Sequence, residues 1–228
     1  DGAADGKLEL LAGRTAYKAD GTTLWDRVDV SDGFPATGDF DGDGKPEAVV
    51  VGAGKVWVLE GATGENEFPA LTLPGTGAGG PPTVADFDGD GKAEIGVAQQ
   101  NKYSMLKPNY AAATLDLVWT VANHDLSSSV TGSSVFDFEG DGKAEAIYAD
   151  ECFQWVFDGQ TGAVRFATST TSFTATEASV VADVDGDGHA ELIMVSNRAD
   201  PSSAGWNCMD AAGQPTTVET FGRHDPCV

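Results

Sequence analysis

Basic residues are scarce in this chain. Lysine and arginine number 13 against 36 aspartates and glutamates, a formal charge of −23. Phosphate recognition needs a basic face, so nucleic acid is excluded as a partner, and anionic membrane surfaces are disfavoured for the same reason. Long apolar runs are also missing. With no stretch of about 18 apolar residues, insertion into a membrane is not expected. Cysteine is rare: Cys152, Cys208 and Cys227 form no CxxC pair, which argues against a zinc site. They leave room for one disulfide, Cys152 to Cys208 or Cys208 to Cys227, in an oxidising compartment. No segment shows an apolar period of 3.6, so helices are not expected.

What is present is glycine and self-similarity. Apolar residues make up 41%, enough for a core, and 29 glycines among short β-branched runs indicate many tight turns. Four segments align without gaps. They are Asp39-Phe-Asp41-Gly-Asp43-Gly-Lys45-Pro-Glu47, Asp86-Phe-Asp88-Gly-Asp90-Gly-Lys92-Ala-Glu94, Asp137-Phe-Glu139-Gly-Asp141-Gly-Lys143-Ala-Glu145 and Asp183-Val-Asp185-Gly-Asp187-Gly-His189-Ala-Glu191. A weaker fifth copy opens the chain with Asp1, Asp5 and Glu9, but has Ala3 at the third position. Successive copies start 38, 47, 51 and 46 residues apart. That period fits one four-stranded propeller blade. Each acidic loop is followed by a short apolar run, such as Glu47–Val51 or Glu191–Val195. A second strand, such as Lys55–Leu59 or Phe153–Phe157, then leads into a Gly-rich turn. The expected architecture is all-β: a propeller, or part of one, with about five four-stranded blades and all acidic loops on one rim.

The loops point to a hard cation. Calcium takes six to eight oxygens, preferring carboxylates and a backbone carbonyl. Positions 1, 3 and 5 converge when a loop curls, and the glycines at 4 and 6 permit the curl. Position 7 needs to offer only its carbonyl, so Lys45, Lys92, Lys143 and His189 are admissible there. The glutamate at position 9 closes the shell, as a bidentate ligand. An EF-hand loop is excluded, since its position 12 would here be Val50, Val97, Tyr148 or Met194 rather than an acid. Repulsion among the clustered carboxylates would be strong without an ion. The five loops hold 19 of the 36 acids. The expectation is about four comparable calcium sites and a fifth, weaker one at Asp1, Asp5 and Glu9.

These motifs resemble the FG-GAP/VCBS repeat of integrin-α-type β-propellers. The stretches Ser179–Ile193 and Phe157–Gly162 are similar to bacterial secreted members. The resemblance implies calcium ligation by positions 1, 3, 5 and 9, with Glu139 a longer arm than the usual aspartate. It also implies a secreted or cell-surface protein, with an extracellular protein or a glycan as partner. Members of this group include adhesion receptors, sugar-binding lectins and polysaccharide lyases. Residues 1–228 form a single propeller domain on this reading. The chain opens inside a loop and shows fewer loops than the usual seven blades of the family. It is therefore read as a piece of a larger propeller, the alternative being that Thr216–Val228 closes a small ring.

No catalytic constellation separates from the metal acids. Tyr103, Tyr110, Lys107 and His124 are the loose candidates for a lyase base. They fall in Gln99–Asp125, which reads as a long connection. His189 reads as a solvated loop residue. Trp57, Trp155 and Trp206 fall on equivalent strands and read as inter-blade packing, while Trp25 and Trp119 on outer strands are candidates for exposed sugar stacking. The favoured reading is a non-catalytic module for adhesion, protein interaction or surface assembly. Alternatives are a calcium-dependent lectin-like propeller or part of a polysaccharide lyase.

Overall fold

The computed structural model describes residues 7–126, 128–172, 178–195 and 208. Asp1, Asp5, Trp206, His224, Cys227 and the segment Thr216–Val228 lie outside the described residues. Every element among the described residues is a strand. The first blade contributes β1 (Leu10–Ala12), β2 (Thr15–Tyr17) and β3 (Thr23–Asp26). The second contains β4 (Phe34–Gly38), β5 (Glu47–Gly52), β6 (Lys55–Leu59) and β7 (Leu71–Thr72). The third has β8 (Thr83–Ala85), β9 (Glu94–Gln99), β10 (Lys102–Asn109) and β11 (Thr114–Ala122). The fourth has β12 (Ser133–Phe136), β13 (Glu145–Ala149), β14 (Phe153–Phe157) and β15 (Val164–Ser169). Of the fifth, β16 (Val180–Ala182) and β17 (Glu191–Ile193) are described. Within each blade the strands pair antiparallel in chain order. The result is a partial propeller.

The sheets stand face to face, which explains their unbroken apolar runs. In β5 alternate side chains point to opposite faces. Ala48 and Val50 join Trp25 and Trp57 in the seam with the first blade. Val49 and Val51 join Ile95, Val97 and Leu106 in the seam with the third. A third seam, between the third and fourth blades, is aromatic and contains Tyr103, Tyr148, Trp155 and Phe157. Burying one such side chain contributes about 1.5–3 kcal/mol, so the seams are the main source of cohesion.

Trp57 on β6 and Trp155 on β14 are both buried in these seams, as inter-blade packing requires. The two outer-strand tryptophans depart from expectation. Trp25 is buried and Trp119 half-buried, and neither is presented for stacking. Each reaches across a seam. Trp25 Nε1 donates to the Gly61 carbonyl at 2.9 Å, and Trp119 Nε1 to the Gly159 carbonyl at 2.8 Å. Those carbonyls lie in the Gly-rich turns of the next blade. The indole also leaves no room there: a Cβ on Gly64 would come within 2.7 Å of Trp25, and one on Gly162 within 2.7 Å of Trp119. Both glycines have positive φ as well. Between the second and third blades the third-blade turn has no glycine, and the contact is Phe68 edge-to-face with Tyr110, ring centroids 4.9 Å apart.

Two further expectations change. Gln99–Asp125 is not a long connection but chiefly the hairpin of β10 and β11, bulged at Met105/Leu106. Cys152 sits in the tight turn before β14 rather than on a strand, and it is disulfide-bonded to Cys208.

Candidate metal centre

Each acidic loop joins the first two strands of its blade, so radial repetition sets the loops on one rim. Contacts between neighbours agree. The Lys92 ammonium donates to the Asp41 carbonyl at 3.3 Å, and the Ala144 amide to the Asp86 carbonyl at 3.0 Å.

The four described loops are held by the same internal bonds. The position 1 aspartate accepts from both glycine amides: Gly42 and Gly44 on Asp39, Gly89 and Gly91 on Asp86, Gly140 and Gly142 on Asp137, Gly186 and Gly188 on Asp183. All eight glycines have φ between 67° and 90°, the left-handed region that favours glycine. At position 5, Asp43, Asp90, Asp141 and Asp187 accept from the amide of position 7 at 2.8–2.9 Å. The position 9 glutamate reaches back to the amide of position 2. Glu47 holds Phe40 at 2.9 Å, Glu94 holds Phe87 at 2.8 Å, Glu145 holds Phe138 at 3.0 Å and Glu191 holds Val184 at 2.9 Å. That bond uses one lone pair of one carboxylate oxygen and orients the group toward the loop.

The loops bring acids together in sets of three. Asp39, Asp41 and Asp43 have ligand atoms within 4.8 Å of one another, as do Asp86, Asp88 and Asp90. The other sets are Asp137, Glu139 and Glu145, and Asp183, Asp185 and Glu191. Glu47, Glu94, Asp141 and Asp187 belong to the same loops but fall outside these sets. Glu9 is exposed, and residues 1–6 of its loop lie outside the described residues. All donors are oxygens, the set a hard cation takes.

The electrostatics separate the loops. Around Asp39, Lys45 pairs with Asp43 at 2.9 Å, and the Lys92 ammonium meets only the Asp41 carbonyl. Glu47 is 3% exposed, and burial, reinforced by Asp41, Glu67 and Asp39, pushes its carboxyl up to about 7. Burial and its interaction with Glu60 likewise raise Glu67. In the fourth blade burial pushes Glu145 up to about 7, while Arg165 pairs with Glu139. His189 is exposed, as expected.

The Asp86 loop is different. Lys107 on β10 places its ammonium against Asp88, 2.8 Å from Asp90 and 2.8 Å from Glu94. Burial works against that charge, but hydrogen bonds to Asp88, Asp90 and Glu94 outweigh it and raise the Lys107 pKa above its ordinary value. Here a cation of the chain itself bridges positions 3, 5 and 9.

Comparison with known proteins now bears on this geometry. The model of the FG-GAP-like repeat matches residues 39–97 and 137–194, together about half of the chain. The chain belongs to this family. Each match runs from one acidic loop through the next blade boundary. No curated protein matches the sequence significantly. Among solved structures, the V. cholerae biofilm matrix protein Bap1 is similar over 94% of this chain and 60% of its own, at TM-score 0.69 and 20% identity. The rhamnogalacturonan lyase YesW is similar over 83% of this chain and 41% of its own, at TM-score 0.61 and 18% identity. The exotype rhamnogalacturonan lyase YesX gives TM-score 0.55 at 20% identity, over 80% of this chain and 38% of its own. At these identities the likeness is one of fold, and the FG-GAP chain spans less than two thirds of each.

The candidate bases do not form one site. Tyr103 is fully buried in the aromatic seam, its hydroxyl 2.9 Å from Ser133 Oγ, and burial pushes its pKa up to about 12. Lys107 is committed to the Asp86 loop. Tyr110 packs on Phe68, and His124 lies 3.2 Å from the Cys152 sulfur and 3.7 Å from Glu151. The role of Lys107 was missed in the sequence, yet a signal exists. The residue thirteen places beyond the ninth acid is Glu60, Lys107 and Asp158 in successive blades. Strand register puts it beside that acid, since Leu59 pairs with Ala48, Leu106 with Ile95 and Phe157 with Ala146.

Proposed function

We propose that this FG-GAP chain is a calcium-stabilised, non-catalytic extracellular module for adhesion or surface assembly. The observation that carries the reading is the fourfold repetition of one carboxylate cradle whose ninth glutamate is held to the loop's own second amide. Asp39, Asp41, Asp43 and Glu47 would hold one ion. Asp137, Glu139, Asp141 and Glu145 would hold another, and Asp183, Asp185, Asp187 and Glu191 a third, with the carbonyls of Lys45, Lys143 and His189. Bound calcium supplies positive charge that offsets the crowded carboxylates. Two unit charges about 4 Å apart repel by about 4 kcal/mol at an effective dielectric of 20, so the offset is large on the scale of fold stability.

The loop residues then act structurally. Asp39, Asp137 and Asp183 fix the curl through glycine amides, and Glu47, Glu145 and Glu191 tie each loop to its next strand. Each hairpin is thereby locked between the innermost strand and the seam. The Cys152–Cys208 disulfide supports an oxidising, secreted or surface setting. The fold is shared with a biofilm matrix protein and with lyases alike, and what supports an assembly role over elimination is the engagement of Tyr103 and Lys107 elsewhere. The partner is an extracellular protein or glycan.

The test is calorimetric titration of the chelated protein with calcium, together with melting curves in calcium and in chelator. Binding of more than one ion per chain and a raised midpoint are expected. An unchanged midpoint, or no binding, defeats structural calcium. Turnover of a rhamnogalacturonan substrate, abolished by Asp183→Ala without unfolding, would defeat the non-catalytic reading.

A further inference from the structure

The Asp86 loop is built like its siblings and yet is satisfied from within. Its position 1, 5 and 9 bonds match those of the other loops. Its glycines have the same left-handed φ, 79° at Gly89 and 84° at Gly91. The difference is one side chain on the neighbouring strand. In the second and fourth blades the residue beside the ninth acid is itself acidic, Glu60 or Asp158. In the third it is Lys107, whose ammonium bridges Asp88, Asp90 and the 2%-exposed Glu94.

We infer that the Asp86 loop carries Lys107 as its resident cation and takes no calcium, making the third blade metal-independent among metal-dependent neighbours. The inference rests on the calcium reading of the other loops. A divalent ion entering this loop would have to displace an ammonium held at three carboxylates. Lys107 is tethered beside the loop, since its β10 backbone is paired on both sides, to β9 and β11. Its local concentration at the loop is therefore permanent, as for any tethered ligand. In the fourth blade, where Asp158 stands at this place, Arg165 pairs with Glu139 alone among the loop acids, and no described side chain bridges three of them.

The experiment counts calcium bound per chain by equilibrium dialysis, for the wild type, for Asp88→Asn/Asp90→Asn and for Lys107→Met. The asparagine pair should leave the wild-type count unchanged, and Lys107→Met should bind one calcium more. A count lowered by one in the asparagine pair shows that calcium already occupies this loop. That result overturns the inference while leaving calcium in the other loops intact. A Lys107→Met count equal to that of a calcium-binding wild type also overturns it. If the wild type binds none, the calcium reading itself fails, and melting in chelator judges Lys107. There Lys107→Met should lower the midpoint by several degrees, and adding Asp88→Asn/Asp90→Asn should restore it. A midpoint indifferent to Lys107 overturns the inference whatever the calcium count. Lys107→Arg, which keeps the cation, should behave as wild type in both measurements.

Discussion

The loops at Asp39 and Asp86 differ at only one of nine positions, Pro46 against Ala93, yet the charges around them differ. Burial raises the pKa of the ninth glutamate in both, but at Glu47 it is reinforced by Asp41, Glu67 and Asp39. In the Asp86 loop, the matching glutamate faces a lysine 2.8 Å away. The nonapeptide sets the curl, and the strand behind it sets the charge. A motif can thus specify a backbone cradle without specifying what fills it.

Chelation should separate the two loops most strongly. A ligand that binds only the folded state adds about 2.7 kcal/mol per site at a hundredfold excess over Kd, so several occupied loops together should shift the midpoint well beyond any single substitution. Differential scanning calorimetry in calcium and in chelator measures it. The third blade should exchange its amides at similar rates in both buffers, while the second loses protection in chelator.

Acidity should come next. Glu47 and Glu145 ionise near 7 in the chelated fold against an ordinary 4.5. Such groups take up protons on folding, so chelated stability should fall as pH rises from about 4.5 to about 7, on the order of 1–3 kcal/mol per glutamate. Calcium requires the ionised form and should reverse the slope. Denaturant titrations at pH 5 and 7.5, with and without calcium, decide the sign.

Single glutamines sharpen the contrast further. Glu47→Gln should lower the calcium count by one and cost about 1–3 kcal/mol in calcium, with little cost in chelator. Glu94→Gln should leave the count alone and cost a similar amount in both buffers, because it takes the buried anion from a half-buried ammonium. Equal buffer dependence for the two variants would erase the distinction.

The smallest effect lies away from the rim. Trp119→Phe removes the hydrogen bond to the Gly159 carbonyl and should cost about 1 kcal/mol, insensitive to calcium. Urea denaturation in both buffers is the check.

The legible part of the fold was the part written locally. Lys55–Leu59 and Phe153–Phe157 are strands with the bounds their patterns gave, and the loop glycines have the left-handed backbone their positions demanded. The tryptophans were half legible. Their equivalent positions on repeated strands placed Trp57 and Trp155, but an outer strand looks exposed until the next blade's turn covers it, as at Trp25 and Trp119. Lys107 was illegible from the motif, because its partners meet it through the pairing of Leu106 with Ile95 across a hairpin. The long β10–β11 hairpin was hidden by its own polarity, since residues such as Asn109 and Asp116 satisfy each other on the surface.

The tryptophan bonds carry a consequence for how such a chain could be lengthened or cut. They tie the first blade to the second and the third to the fourth, while the second and third meet through Phe68 and Tyr110. Gly61 and Gly159 are 98 residues apart, and so are Asp39 and Asp137. The unit that repeats faithfully is a pair of blades rather than a single blade. A designer adding or deleting length should work in pairs, splicing between β7 and β8, where no indole has to find a glycine turn on the other side of the joint.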